Sequence, residues 1–271
     1  MINRIILITI LLLQSCYCIA QSNQEEFSFS DEIEDSISAL YIKPIPKPEM
    51  LLKRIVERLQ FDQKREHDVG RYLVEATFSQ GTLVPFSASL VISAERGIGL
   101  EKIKKEKFSY EGPYTLAQQD TFMISDFLVQ FAALSPLHAH KAYWEEYKAM
   151  SPLANTKETM RCYDVTADSI ADEKGRAVLR FRFEWKKRQR KDFDWERYQG
   201  EITGSAYFNS RTLQLKQFKG EAHLPSFKYS TRLRYMVDYH KSSKSPVLKQ
   251  ITILGTKDDM VMRATVREFD E

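Results

Sequence analysis

Phe227-Lys228-Tyr229-Ser230-Thr231-Arg232-Leu233-Arg234-Tyr235-Met236-Val237-Asp238-Tyr239 is the stretch that decides the fold. Every second residue, from Phe227 through Tyr229, Thr231, Leu233, Tyr235 and Val237 to Tyr239, can face a core. Those between are mostly polar or charged: Lys228, Ser230, Arg232, Arg234 and Asp238. A period of two is the signature of a long antiparallel strand with one buried face.

Working outward, the same texture runs through the C-terminal half. Strands are expected at Met160–Thr166, over Leu179, Phe181, Phe183 and Trp185, and at Tyr198–Phe208. Others follow at Thr212–Leu224, Pro246–Leu254 and Met260–Phe269. The turns between them are Asp172-Glu173-Lys174-Gly175-Arg176, Asn209-Ser210-Arg211 and Lys257-Asp258-Asp259. Sequential strands with short turns make a meander. Nearer the N-terminus, Tyr72–Phe78 and Phe86–Ser93 read as a hairpin closed at Gln80-Gly81, with a weaker third strand at Ile98–Ile103. Lys102 to Lys107 reads as a solvated edge or turn, and Tyr110-Glu111-Gly112-Pro113-Tyr114 as a turn.

Two segments carry helical patterns. Leu51, Leu52, Ile55, Val56 and Leu59 form one apolar stripe after Pro48 and Glu49, which suit a first helical turn. Asp120 is placed to cap a second helix running to about Leu134, with Phe122, Ile124, Phe127, Leu128 and Phe131 as its apolar content. This one is either a core helix or a lid. His138 to Met150 has the texture of a third, short helix. The fold class expected is α+β: one long, curved, half-barrel-like antiparallel sheet, with the N-terminal helix and the central helical segment on its concave face.

The chain has 271 residues, 43% hydrophobic and 28% charged, as in an ordinary globular protein. Its formal charge of +3 gives no global field for nucleic acid. Asn3-Arg4, the apolar run Ile5–Leu13 and the small residues before Gln21 match an export signal over 1–20, with cleavage between Ala20 and Gln21. Leu13-Gln14-Ser15-Cys16 offers a second route, lipidation at Cys16. The apolar run is too short to span a bilayer, which takes ~20 residues, and the mature chain has no other candidate span. Residues 21–47 are acidic and then proline-containing, a flexible leader, and 48–271 form one domain. Periplasm or outer-membrane surface is the expected location.

Chemistry is sparse. There is no nucleophile elbow, phosphate-binding glycine loop, His-Glu-Xaa-Xaa-His or dinucleotide fingerprint. His138 and His140 would share a strand face but lack a third ligand, and Cys162 is the single cysteine past the signal. The basic run Lys186–Lys191 reads as a soluble hairpin tip. No catalytic residue, metal or cofactor is implied. The candidate ligand-lining residues are those aimed at the concave side: Phe181, Phe183, Trp185, Tyr229, Leu233, Tyr235 and Val237. They either surround an apolar ligand, such as a lipid, or fill a closed core. In the second case the protein is an interaction module for another envelope protein or a glycan, supported by the acidic leader and the aromatic 138–150 region. An unrecognised hydrolase is a third alternative.

The helix Leu51–Leu59, Tyr72-Leu73-Val74-Glu75-Ala76, Tyr110-Glu111-Gly112-Pro113-Tyr114, Tyr198-Gln199-Gly200-Glu201-Ile202 and Asn209-Ser210-Arg211-Thr212-Leu213 together resemble a group of uncharacterised Gram-negative envelope proteins. Members often carry a carboxypeptidase-regulatory-like β-sandwich ahead of these segments, for which residues 21–47 leave no room. The sheet is also similar to the half-barrel of lipoprotein carriers such as LolA. That likeness implies a curved sheet holding acyl chains under helices, and it brings no catalytic residue with it.

Overall fold

A computed structural model describes residues 43–45, 47–63, 68–81, 84–134, 153, 163–171, 175–186, 201–226, 229–240, 246–257 and 260–269. In chain order the elements are β1 (Lys43–Pro44), α1 (Pro48–Gln63), β2 (Val69–Gln80), β3 (Phe86–Glu95), β4 (Glu101–Glu111) and α2 (Gln118–Ala132). Seven strands follow: β5 (Tyr163–Ala171), β6 (Ala177–Trp185), β7 (Glu201–Asn209), β8 (Leu215–Ser226), β9 (Tyr229–Tyr239), β10 (Leu248–Lys257) and β11 (Met260–Glu268). All strands join one open antiparallel sheet in the order β1-β5-β6-β7-β8-β9-β10-β11-β2-β3-β4. The expected α+β class, with a curved sheet and two helices, is therefore the fold found. The C-terminal meander is present as β5 to β11, and the N-terminal hairpin attaches to its last strand.

The quoted stretch is β9. Tyr235, Val237 and Tyr239 are buried, while Arg234, Met236 and Asp238 point the other way and are half-buried. Register carries this face across the sheet. Val237 lies opposite Ile251 and Phe218, Phe218 opposite Ala206, and Ala206 opposite Phe181. On the far side Ile251 meets Val266, Val266 meets Val74, and Val74 meets Leu90. The result is a single apolar surface running from β5 to β3.

Both helices pack on this surface. Leu52, Ile55, Val56 and Leu59 of α1 are at most 2% exposed, as the stripe requires. α1 lies against β5, and its Arg58 Nη1 donates to the Thr212 carbonyl at 2.6 Å, tying the helix to the β7–β8 turn. That turn is held by Asn209 Oδ1, which accepts from the amides of Arg211 and Thr212 at 2.9 and 3.1 Å.

α2 packs on β10, β11, β2, β3 and β4 through Leu128, Phe131 and Ala132. Its N-cap is Ala117. Asp120 sits three residues inside the helix, where its carboxylate accepts the Ala117 amide at 3.3 Å. Phe122 and Met123 are exposed, so this helix carries apolar residues on its outer side as well as on its buried one. Lys105 of β4 clamps α2 to the sheet edge. Its Nζ binds Asp126, donates to Ser125 Oγ at 3.1 Å and lies 4.6 Å from the Phe122 ring centre.

The third strand differs from expectation. It begins at Glu101, and residues 97–100 are a fully buried loop instead. The charged stretch Lys102–Lys107 is itself strand, placed at the edge where charges deter further pairing. The expected third helix at 138–150, with His138 and His140, lies outside the described residues, as do Cys162 and all of the basic run but Lys186.

On the convex face one buried charge stands out. Asp168 is 2% exposed, and its carboxylate accepts from Arg180 Nε and Nη2 at 3.0 and 2.9 Å and from Arg182 Nη2 at 2.9 Å. Removing the carboxylate would take a charge partner from two guanidinium groups, one of them largely buried. We expect Asp168→Ala to cost about 3 kcal/mol in urea unfolding. Ile55→Ala in α1 should cost about 2–5 kcal/mol, whereas Met50→Ala, on the exposed side of that helix, should stay within about 0.5 kcal/mol.

Candidate functional site

The concave face is built by alternation, so its lining follows from strand register. Phe181 and Phe183 of β6 are buried, Phe181 edge-on to Phe208 at 5.8 Å and Phe183 edge-on to Tyr163 at 6.3 Å. Tyr235 and Val237 are buried on β9, and Leu233 is partly buried against the same core. Trp185 ends β6 and Tyr229 starts β9. The structure thus brings Phe181, Phe183, Leu233, Tyr235 and Val237 onto one face.

The middle of that face is carved by small residues. Gly204 and Gly220 are directly opposed across β7 and β8, beside Ala206. The Tyr235 ring occupies the space a side chain at Gly220 would take, with Cζ 2.5 Å from the position of such a Cβ. Phe218 lies 5.8 Å from the same ring. A glycine here lets an aromatic ring lie flat on the neighbouring strand.

One end of the face is polar, and the sequence reading missed it. Tyr72 of β2 and Glu268 of β11 are cross-strand partners. Arg96, just past β3, lays its guanidinium over Gly70, two residues before Tyr72 and on the same face. A Cβ at Gly70 would meet that guanidinium, so a larger residue here would push the Arg96 head group aside. Arg96 Nη1 lies 3.7 Å from Glu268 Oε1, and His240 Nε2 lies 3.1 Å from Glu268 Oε2.

The buried loop 97–100 forms the floor beside this group. Tyr239 Oη donates to the Ile98 carbonyl at 2.9 Å, and the Leu248 amide donates to the Gly97 carbonyl at 2.8 Å. Tyr72 is fully buried, yet its hydroxyl has no hydrogen-bond partner among the described residues, and neither has Arg96 Nε. Arg96, His240 and Glu268 are each partly exposed, with side chains 37%, 31% and 24% accessible, so the group spans core and solvent.

Comparison with known proteins adds little. No protein-family model matches the chain, and no curated protein does. Among solved structures, a DUF1329 family protein from Desulfovibrio piger ATCC 29098 is similar at 10% identity and a TM-score of 0.33, covering 82% of this chain and 94% of that one. A second, described under "Asymmetric conductivity of engineered proteins", is similar at 9% identity and a TM-score of 0.13, covering 74% of this chain and 98% of that one. At these TM-scores neither likeness bears on function.

Electrostatics marks the polar end. Burial pushes the Tyr72 phenol up to about 12, with the Arg96 charge opposing and Glu268 adding to the rise. Burial also holds Tyr235 and Tyr239 well above the ordinary value. An acid whose folded pKa is raised contributes stability below its unfolded pKa of 10 and loses it as pH climbs through the folded one. Stability should therefore fall between pH 10 and 12, with phenolate absorbance from these tyrosines appearing together with unfolding. Tyr72→Phe should flatten that fall.

Proposed function

We propose that this is an exported, non-enzymatic envelope protein that buries an apolar ligand, such as the acyl chain of a lipid, between the concave face and its helices. The observation that supports this most is the continuity of that face. It is apolar from β5 to β3 on an open sheet, with the small residues Gly204, Gly220 and Ala206 on its middle strands. Helix packing by α1 and α2 falls on β5 at one side and on β10, β11 and β2–β4 at the other. The concave residues of β7–β9 are already buried, so the gain from an acyl chain seated there would come from the chain's own apolar area, at about 25 cal/mol for each Å² removed from water.

The N-terminal pattern of residues 1–20, which resembles a secretion signal, and the likeness of the sheet to LolA-type carriers favour the periplasm or outer membrane as its place of action. Among the described residues, no helix is long and apolar enough to cross a membrane. Lipidation at Cys16 would add an anchor without altering the ligand face.

A second reading has its own support. Val84, Tyr114 and Phe122 are more than 60% exposed, and Val84 and Tyr114 lie in the loops at the same end of strands β2–β4. Exposed apolar side chains of this kind suit a docking surface, as in an interaction module for another envelope protein or a glycan.

Native mass spectrometry of the mature protein, with lipid extraction, separates the two. We expect a co-purifying acyl species under the first reading. A clean mass equal to residues 21–271 would shift the weight to the interaction module. Leu233→Trp, which fills the concave side next to Gly255, should abolish that co-purification while the melting temperature moves only a few degrees. Undiminished ligand in this variant would sink the concave-face reading.

A further inference from the structure

At the polar end of the concave face, two buried hydrogen-bonding groups have no partner among the described residues. Tyr72 Oη and Arg96 Nε are both shielded from solvent, and among the described residues neither has a partner. Such groups cost stability when left unmade. Both belong to the same end of the face: Arg96 lies over Gly70, which shares a face and a strand with Tyr72, while Glu268 is both the partner of Tyr72 in register and the counter-charge of Arg96.

Arg96 Nε–H can only donate, and the Tyr72 hydroxyl can donate. Two donors at one end of the face suit an acceptor oxygen brought by a ligand. The charge around them restricts which oxygen. Arg96 is already balanced by Glu268, whose other oxygen faces His240. A free carboxylate entering here would meet the Glu268 carboxylate, whereas an uncharged carbonyl would not. The surroundings supply the rest of the ligand. On the buried side Tyr72 continues into Val74, Ile92 and Leu90, all at most 1% exposed, and on the open side Arg96, His240 and Glu268 reach solvent.

We propose that Tyr72 and Arg96 form the head-group site of the concave face, where they hold the carbonyl of an acyl ester or amide whose hydrocarbon chain runs inward along the sheet. This rests on the ligand-burying reading above and names its ligand class: an acylated, uncharged linkage, as in a glycerolipid or an N-acyl group, in preference to a free fatty acid. Glu268 acts as a positioning residue, turning the Arg96 guanidinium so that Nη1 is engaged and Nε is left for the ligand. The unpartnered phenol is then the signature of a site, and its stability cost is recovered when the carbonyl binds.

The test uses the full mature protein, stripped of lipid, and three probes with the same hydrocarbon chain: 1-oleoylglycerol, its ether counterpart 1-O-oleylglycerol, and oleate. Calorimetric titration should give about tenfold tighter binding of the ester than of the ether, the worth of one to two neutral hydrogen bonds. Oleate should bind more weakly than the ester. In Tyr72→Phe the ester should fall to the affinity of the ether, with the ether unchanged and the melting temperature equal to or above that of the wild type. Arg96→Lys, which keeps the charge but loses Nε, should have the same selective effect. Ester and ether binding alike in the wild type, or oleate binding most tightly, would overturn the head-group assignment and leave the concave-face reading standing. If none of the three binds, the concave-face reading fails, and this assignment with it.

Discussion

The pairing of β2 with β11 is the constraint on which the rest of the structure depends. It runs without a break from Met260 opposite Gln80 to Glu268 opposite Tyr72. Without it the chain would hold a C-terminal meander and an N-terminal hairpin with β4, each exposing a long apolar edge. Pairing converts two short sheets into one and aligns Val266 with Val74 and Ala264 with Ala76, which makes the concave face continuous. On the other face Arg267 reaches Glu75 at 3.1 Å, an exposed pair that adds little beyond register. The contacts are among the longest in sequence, so closing the loop between them carries a large entropy cost that the shared core must offset. α2 lies across this seam, touching β10, β11, β2 and β3, and is itself locked by Lys105 at the sheet edge. Helix, seam and edge therefore form one cooperative unit.

Much of the sheet could be read from period two alone, and the misses have a common cause. In β4, Ile103 and Lys105 lie on the core side with Phe108 and Tyr110, although the spacing between the pairs is odd. A bulge places Lys105 opposite Ile92 and Lys107 opposite Val91, so Glu106 is an extra residue that resets the alternation. Read without the bulge, the stretch has no consistent face and looks like a charged turn. Leu248 and Ile251 are both fully buried for the same reason, because Lys249 is an extra residue between them. In β9 no bulge interrupts the described pairs from Arg232 to Asp238 with β10, and there the pattern was plain. The helix α1 was equally plain, since a stripe of four buried residues on one face needs no long-range information.

The candidate site was legible only in half. Phe181, Phe183, Leu233, Tyr235 and Val237 reach the concave face because alternation sends them there. The polar end could not be read this way. Tyr72, Arg96, His240 and Glu268 come from four segments, and each looks ordinary in its own surroundings: an aromatic in a strand, a loop arginine, a lone histidine, a terminal acid. Only the β2–β11 register brings Tyr72 to Glu268, and only the β2–β3 register brings Gly70 under Arg96. The sole local hint is Arg96-Gly97-Ile98-Gly99-Leu100, where two glycines flank an isoleucine in a segment too apolar for a surface turn.

Two tyrosines at this end make an instructive contrast. Tyr239 and Tyr72 are both buried on the concave face, close to the 96–100 loop. Tyr239 gives its proton to the Ile98 carbonyl and so pins the loop that floors the core. Its hydroxyl has a structural purpose, and phenylalanine there would strand a buried carbonyl. Tyr72 has the same burial, but among the described residues its hydroxyl has no such partner, and phenylalanine would fill its space. A core selected for packing alone would discard an unpartnered hydroxyl worth about 1–3 kcal/mol of desolvation. It would also have no reason to keep Gly70 bare so that a guanidinium can lie against the core edge. Both features are accounted for together if the place they define is where the polar part of an otherwise apolar ligand comes to rest.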